Sequence, residues 1–151
     1  MQSTRVSRHV NAPRASVYRA LVDVRAVSTW MVPAGMTGHV HAFEPHEGGA
    51  FRITLTADTP TGTDQTVDTD TLGGRFVKLV TNEQVVEALE FETTEPALRG
   101  EMTITITLRD ADGGTDIVVV HDHLPPGLPA ANNELGWRSS LAKLAALVET
   151  G

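Results

Sequence analysis

The stretch NNELGWRSSLAKLAALVE, residues 132–149, decides the fold. Trp137, Leu141, Leu144 and Val148 are spaced four, three and four apart, which at about 100° per residue stacks them on one face of a helix. Ser140, Ala145 and Leu147 flank that stripe, while Arg138, Ser139, Lys143, Ala146 and Glu149 fall on the opposite side. A helix with one wet back and one apolar face needs a partner to cover the face. Everything from 37 to 122 reads as short strands and turns. The expectation is therefore a curved antiparallel sheet wrapped around this C-terminal helix.

The strands declare themselves by alternation, because successive side chains on a strand point to opposite faces. Residues 101–109 set Met102, Ile104, Ile106 and Leu108 against Glu101, Thr103, Thr105 and Thr107. Residues 84–92 put Val85, Glu87, Leu89 and Phe91 on the inner face, and 115–123 put Ile117, Val119 and His121 there. A hairpin turn at 111–114 joins the last two strands. Earlier come strands over 36–44 and 50–56, the latter with Phe51, Ile53 and Leu55 inward. A Thr-, Asp-, Pro- and Gly-rich loop follows over 58–65, then extended structure over 66–72 and 75–80, with Gly73 and Gly74 between them as the site of a bulge.

The first strand, 4–10, carries Thr4, Val6, Arg8 and Val10 on one side. Asn11 is expected to cap a helix that admits Pro13 in its first turn and buries Val17, Leu21 and Val24. A second short helix over 25–31 must end before Pro33, since proline pushes its predecessor out of the α region. Pro125, Pro126, Gly127 and Pro129 stiffen the entry to the long helix. The sum is one α+β domain over residues 1–151, with about seven strands, two short helices after the first strand and a long C-terminal helix.

Composition narrows the partners. The chain has 151 residues, 40% hydrophobic and 21% charged, ordinary values for one globular core. Nineteen acids against twelve bases give a net charge of −7, with no Lys/Arg run, which argues against nucleic acid or an anionic membrane surface as partner. The absence of cysteine excludes disulfides, thiolate metal sites and a Cys nucleophile. Two arginines near the N-terminus have no apolar block behind them, so neither a signal peptide nor a spanning segment is expected and the cytoplasm is the expected compartment. Only seven side chains are aromatic, which draws attention to Trp30, Phe51 and Trp137.

The opening Ala12, Pro13, Val17, Tyr18, Ala20, Leu21, then Trp30, then Gly48-Gly49-Ala50-Phe51, then Gly136-Trp137 followed by Leu141 and Leu144, resemble the START-like, pollen-allergen-type (SRPBCC) superfamily. Within it they resemble the homologues of the activator of the heat-shock-protein-ninety ATPase. The resemblance spans nearly the whole chain and implies a helix-grip fold. It also implies a deep, largely apolar cavity between sheet and C-terminal helix, used across the superfamily for lipids, sterols, polyketides and other hydrophobic molecules. The eukaryotic co-chaperones of the family carry a separate chaperone-binding domain, for which this chain has no room. A chaperone-activator-like interaction module is accordingly the alternative rather than the first reading. Function has to be argued from pocket residues, because one fold hosts many activities.

Such pockets are mostly apolar with a few polar groups. Trp30, Phe51, Met102, Trp137 and Leu141 are the apolar candidates for a ligand cavity, with ordinary core as the competing role. Glu87 and His121 are the ionisable groups that alternation sends inward, and a buried carboxylate must be paired, hydrogen-bonded or protonated. His121, near the Pro-rich passage, is the expected ligand-facing group; mid-strand Glu87 is expected to have a structural partner. A small cyclase, hydrolase or lyase using either residue is a further alternative. His39 and His41, and His121 and His123, form two His-x-His pairs, yet two imidazoles alone seldom hold a metal. No metal or cofactor is expected. Gly136 costs the helix about 1 kcal/mol relative to Ala, which marks a place where something approaches the backbone.

Overall fold

Alternating strands bury one face only if their register keeps every apolar set on the same side. The computed structural model, which describes residues 2–32, 35–57 and 69–149, has that register. β1 (Gln2–Val10) leads into α1 (Arg14–Leu21) and α2 (Val24–Trp30). Then come β2 (Met36–Phe43), β3 (Ala50–Ala57), β4 (Thr69–Val80) and β5 (Gln84–Phe91). A 3-10 turn at Pro96–Leu98 precedes β6 (Met102–Ala111) and β7 (Gly114–Leu124), and α3 (Ala130–Glu149) comes last. Among the described residues the strands form one seven-stranded antiparallel sheet in the order β1-β7-β6-β5-β4-β3-β2. This is the helix-grip arrangement, with the curved sheet holding α3 and the helix pair α1–α2.

Local chemistry explains most of the turns. Asp112 and Gly113 sit at φ 45° and 77° between β6 and β7, the two positive values that a two-residue hairpin needs to match strand twist. Asp23 caps α2, its carboxylate accepting from the backbone N–H of Arg25 at 2.8 Å and of Ala26 at 3.3 Å. Asn11 is not a cap. Pro13 occupies that position of α1 without a side-chain bond, and the Asn11 N–H instead donates to Glu149 Oε2 at 2.8 Å, tying the β1–α1 turn to the end of α3.

Gly73 and Gly74 do not interrupt their strand either. β4 runs through both, paired with Glu90 and Leu89, and its irregularity lies between Phe76 and Lys78. The glycines answer to close packing instead. A Cβ on Gly74 would overlap the Ala88 carbonyl, whereas one on Gly73 would crowd only the exposed carboxylate of Glu92, with the Arg52 side chain that pairs with it at ordinary contact distance. The expected loop over 58–65, and the start of β4 before Thr69, lie outside the described residues.

The core lies between the sheet's inner face and the helices. Phe43, Phe51 and Phe76 pack with ring centroids 5.4–5.6 Å apart. Trp30 is buried on α2 and donates its indole N–H to the Ala20 carbonyl at 2.9 Å. Leu141, Leu144 and Ala145 of α3 join the same cluster. Burying each such aliphatic side chain contributes about 1.5–3 kcal/mol. α3 packs most closely on β1 and on α2, and Lys143 Nζ reaches across to the Val32 carbonyl at 2.6 Å.

Gly74→Ala should cost about 1–3 kcal/mol in urea unfolding, because backbone must shift to admit the methyl group. Gly73→Ala should stay within about 0.5 kcal/mol, since an exposed carboxylate can move aside. Equal losses at the two positions would contradict this account.

Candidate functional site

The buried stripe of α3 changes character halfway along. Its C-terminal half presents Leu141, Leu144 and Ala145, which fill space against the sheet and the helix pair. Its N-terminal half presents Asn133, Gly136, Trp137 and Ser140, at intervals of three, four and seven from the first, so they share one face. Apart from Trp137 these side chains are small or polar. A cavity of about 220 Å³ remains beneath them.

Its floor is Ile53, Leu55, Leu72, Leu89, Phe91 and Ile104, from β3, β4, β5 and β6. Met31 just after α2, Met36 at the start of β2 and Leu128 on the approach to α3 contribute as well, and Asp70, His121 and Asn132 add polar atoms. Among the described residues, no Lys or Arg is on the lining. Asn133 Oδ1 is buried and has no hydrogen-bond partner among the described residues.

His121, on β7, is held on both sides. Trp137 Nε1 lies 3.0 Å from His121 Nδ1, and an indole N–H can only donate, so Nδ1 is the acceptor. The ring's own proton then sits on Nε2, 3.2 Å from Met102 Sδ. Burial lowers the imidazole pKa to about 4. The neutral ring is a fixed wall of the cavity, locked in one tautomer.

Glu87 lies on the same rung of the sheet. Its cross-strand neighbours are Phe76 on β4 and Ile104 on β6, and Ile104 in turn pairs with His121 on β7. Ile104 and Leu89 line the cavity and Glu87 does not, so the carboxyl stands one side chain behind the wall. It is 2% exposed, and its Oε2 has no hydrogen-bond partner among the described residues. Desolvation raises its pKa to about 8. His121 lies on the lining, with both nitrogens engaged within the protein, whereas Glu87, expected to have a structural partner, has Oε2 without one among the described residues.

Of the residues singled out by sequence, His121 and Trp137 line the cavity, as does Gly136. Trp30, Phe51, Met102 and Leu141 are buried outside its lining, Met102 touching His121 and Trp30 lying 6.4 Å from the Trp137 ring. Asn132 and Asn133 were missed. Reading Asn132 as the start of the helix hid them, because α3 begins two residues earlier. The backbone N–H of Ala130 donates to Gln2 Oε1 at 3.2 Å, a cap drawn from the other end of the chain. Two asparagines within a helix, where their propensity is poor, were the available signal.

The histidine pairs stay apart. His39 and His41 meet edge to face, ring centroids 4.6 Å apart, on edge strand β2, with His41 bonded to Thr54. His121 is buried, while His123 turns out to solvent at φ 63° beside a β1–β7 irregularity. Among the described residues no three His, Asp or Glu side chains converge on a point suited to a metal.

Residues 11–149 match the sequence profile of the Activator of Hsp90 ATPase homolog 1-like family. The chain belongs to this family. Its fold is that of protein CV1439 from Chromobacterium violaceum, 32% identical, with a TM-score of 0.87 over 99% of each chain. A protein from Arthrobacter aurescens, 14% identical, superposes with a TM-score of 0.81 over 99% of this chain and 87% of that one. DynU16, from the dynemicin biosynthetic locus, is 24% identical with a TM-score of 0.70, covering 100% of this chain and 48% of its own. The last two show a shared fold alone. No curated protein matches the sequence. No helix among the described residues is long and apolar enough to cross a membrane.

The two buried groups pull the stability of the family member in opposite directions. Folded Glu87 keeps its proton to about pH 8, whereas the unfolded carboxyl releases it near 4.5, so stability drains away as pH rises between those values. Folded His121 refuses a proton until about pH 4 but takes one near 6.5 when unfolded, so stability drains as pH falls through that window. The melting temperature should peak between about pH 4.5 and 6.5. Glu87→Gln should flatten the alkaline decline and leave the acid limb in place. A variant curve parallel to wild type above pH 6.5 would show that Glu87 does not set it.

Proposed function

We propose that the protein binds a small apolar molecule in the cavity between the sheet and the N-terminal half of α3. The observation that carries this reading is the change along the helix stripe from space-filling Leu141 and Leu144 to Asn133, Gly136 and Ser140. Natural cores are packed to crystal density, and a void left under a helix without use costs stability. Here the void is walled mostly by apolar side chains with a few polar ones among them, which is the composition of a ligand site. The family assignment supports the same reading. His121 serves such a site by holding Trp137 in place, and its engaged nitrogens and depressed pKa make it a poor general base at neutral pH. Binding therefore takes precedence over acid–base chemistry by this residue.

Trp137 should report occupancy, because its ring forms part of the wall. In a Trp30→Phe background, an apolar probe that binds by calorimetry should quench or shift the remaining tryptophan emission. Leu55→Phe, which fills the floor, should abolish both the heat and the spectral change while the protein stays folded. Native mass spectrometry of freshly purified protein tests the same idea directly, as a bound small molecule adds a fixed mass. Calorimetric binding with an unchanged spectrum and full tolerance of Leu55→Phe would place the ligand elsewhere.

A further inference from the structure

The cavity under α3 offers an anion no counter-charge among the described residues, but the far end of the same helix does. There α1, the start of α2 and the last turn of α3 converge around a groove of about 400 Å³. Its floor is apolar. Ala20 and Ala26 stand where longer side chains would fill the gap, and Leu147 and Val148 add the α3 side. Leu147 is left 40% exposed.

Two cations, Arg19 on α1 and Arg25 on α2, share this lining. Elsewhere Arg14, Arg52, Arg75 and Arg138 each hold a carboxylate at 2.7–3.2 Å. The guanidiniums of Arg19 and Arg25 hold none among the described residues, although acids outnumber bases by nineteen to twelve. The carboxylate beside them, Asp23, is engaged as the cap of α2, its Oδ1 accepting two backbone N–H groups. Both arginines are exposed, so their long side chains can swing to meet an anion between them, and a guanidinium takes a carboxylate in a two-pronged pair.

The floor narrows the choice of anion. Acetate or inorganic phosphate would leave the apolar surface wet, whereas an alkyl chain covers it. A single charge also suits a rim that already includes Asp23, which would repel a dianion more strongly. We propose that this groove is a binding site for a short aliphatic monocarboxylate, its head between Arg19 and Arg25 and its chain along Ala20, Ala26, Leu147 and Val148. The site is separate from the cavity under α3 and does not depend on it.

The test is NMR titration of the isotope-labelled full chain with octanoate, hexanoate, acetate and octanol. Octanoate should shift the backbone amides of residues 16–26 and 147–148 saturably. Hexanoate should bind about fourfold less tightly, at about twofold per methylene of a half-covered chain. Acetate and octanol should both bind more weakly than hexanoate. Arg19→Gln and Arg25→Gln should each weaken octanoate about two- to fivefold, the upper range of an exposed ion pair, and the spectrum of each variant shows directly that it is folded. Leu55→Phe, which fills the other cavity, should change nothing here. If the octanoate shifts instead surround Ile53, Leu89 and Gly136 and vanish in Leu55→Phe, the carboxylate belongs to the cavity and the groove proposal falls. It falls equally if octanol or acetate binds as tightly as octanoate, if the double variant Arg19→Gln/Arg25→Gln keeps full affinity, or if no saturable shift occurs below the micelle limit. Shifts of the same amides on diluting the free protein would make the groove an interface between copies and overturn it too.

Discussion

A single hydrogen bond in the buried interior, from Trp137 Nε1 to His121 Nδ1 at 3.0 Å, joins the one long helix to β7, the strand next to the β1 edge of the sheet. Its strength comes from where it lies. Both groups are buried, so neither has water as a fallback, and breaking the bond would leave a donor and an acceptor unsatisfied in low dielectric. It also fixes a distance: the indole spans the gap that the small residues on either side of it leave open. With Trp137 as a strut, α3 can rest on β1 and α2 and still roof a cavity under its N-terminal half.

The same bond settles the chemistry of its acceptor. An imidazole that must receive from an indole cannot be protonated at that nitrogen without opposing two N–H groups, which reinforces the depression that burial alone produces. His121 is therefore a structural wall whose neutrality is built in. Glu87, on the same rung beyond Ile104, is the contrasting case, a carboxyl buried with an oxygen unpartnered among the described residues and neutral through most of the physiological range. Holding it costs stability at alkaline pH. Proteins retain such groups where selection acts on something other than stability, and its place immediately behind the cavity wall fits that pattern.

Much of the fold was legible because it rests on local periodicity. Met102, Ile104, Ile106 and Leu108 alternate whatever their neighbours do, and the Trp137–Leu141–Leu144 stripe needs no partner to be read as a helix face. The Asp112–Gly113 turn carries its own backbone requirement. Where local rules misled, a distant residue had intervened. Asn11 has the chemistry of a cap, but Glu149 takes its N–H. Gly73 and Gly74 read as a break in the strand, but the Ala88 carbonyl on the neighbouring strand excludes a side chain at Gly74. Asn132 read as the first residue of the helix, but Gln2 supplies a cap two residues earlier and draws both asparagines inside it.

The sequence by itself determined which residues face inward: Glu87, His121, Trp137 and the apolar sets of each strand follow from periods of two and 3.6, which depend only on backbone geometry. Tertiary structure alone decided which of those inward residues meet one another and which face empty space. Trp30, Phe51, Met102 and Leu141 are as inward as Trp137, yet they are core, because whether an inward side chain lines a cavity depends on what stands opposite it. That is set by the sheet's curvature and by the rest of α3 on β1 and α2 rather than by any local pattern. The same holds for the partners of His121 and the lack of one for Glu87 Oε2 and Asn133 Oδ1. Hydrogen bonding is a pairwise property of groups brought together across more than a dozen residues of chain, and no periodicity encodes it.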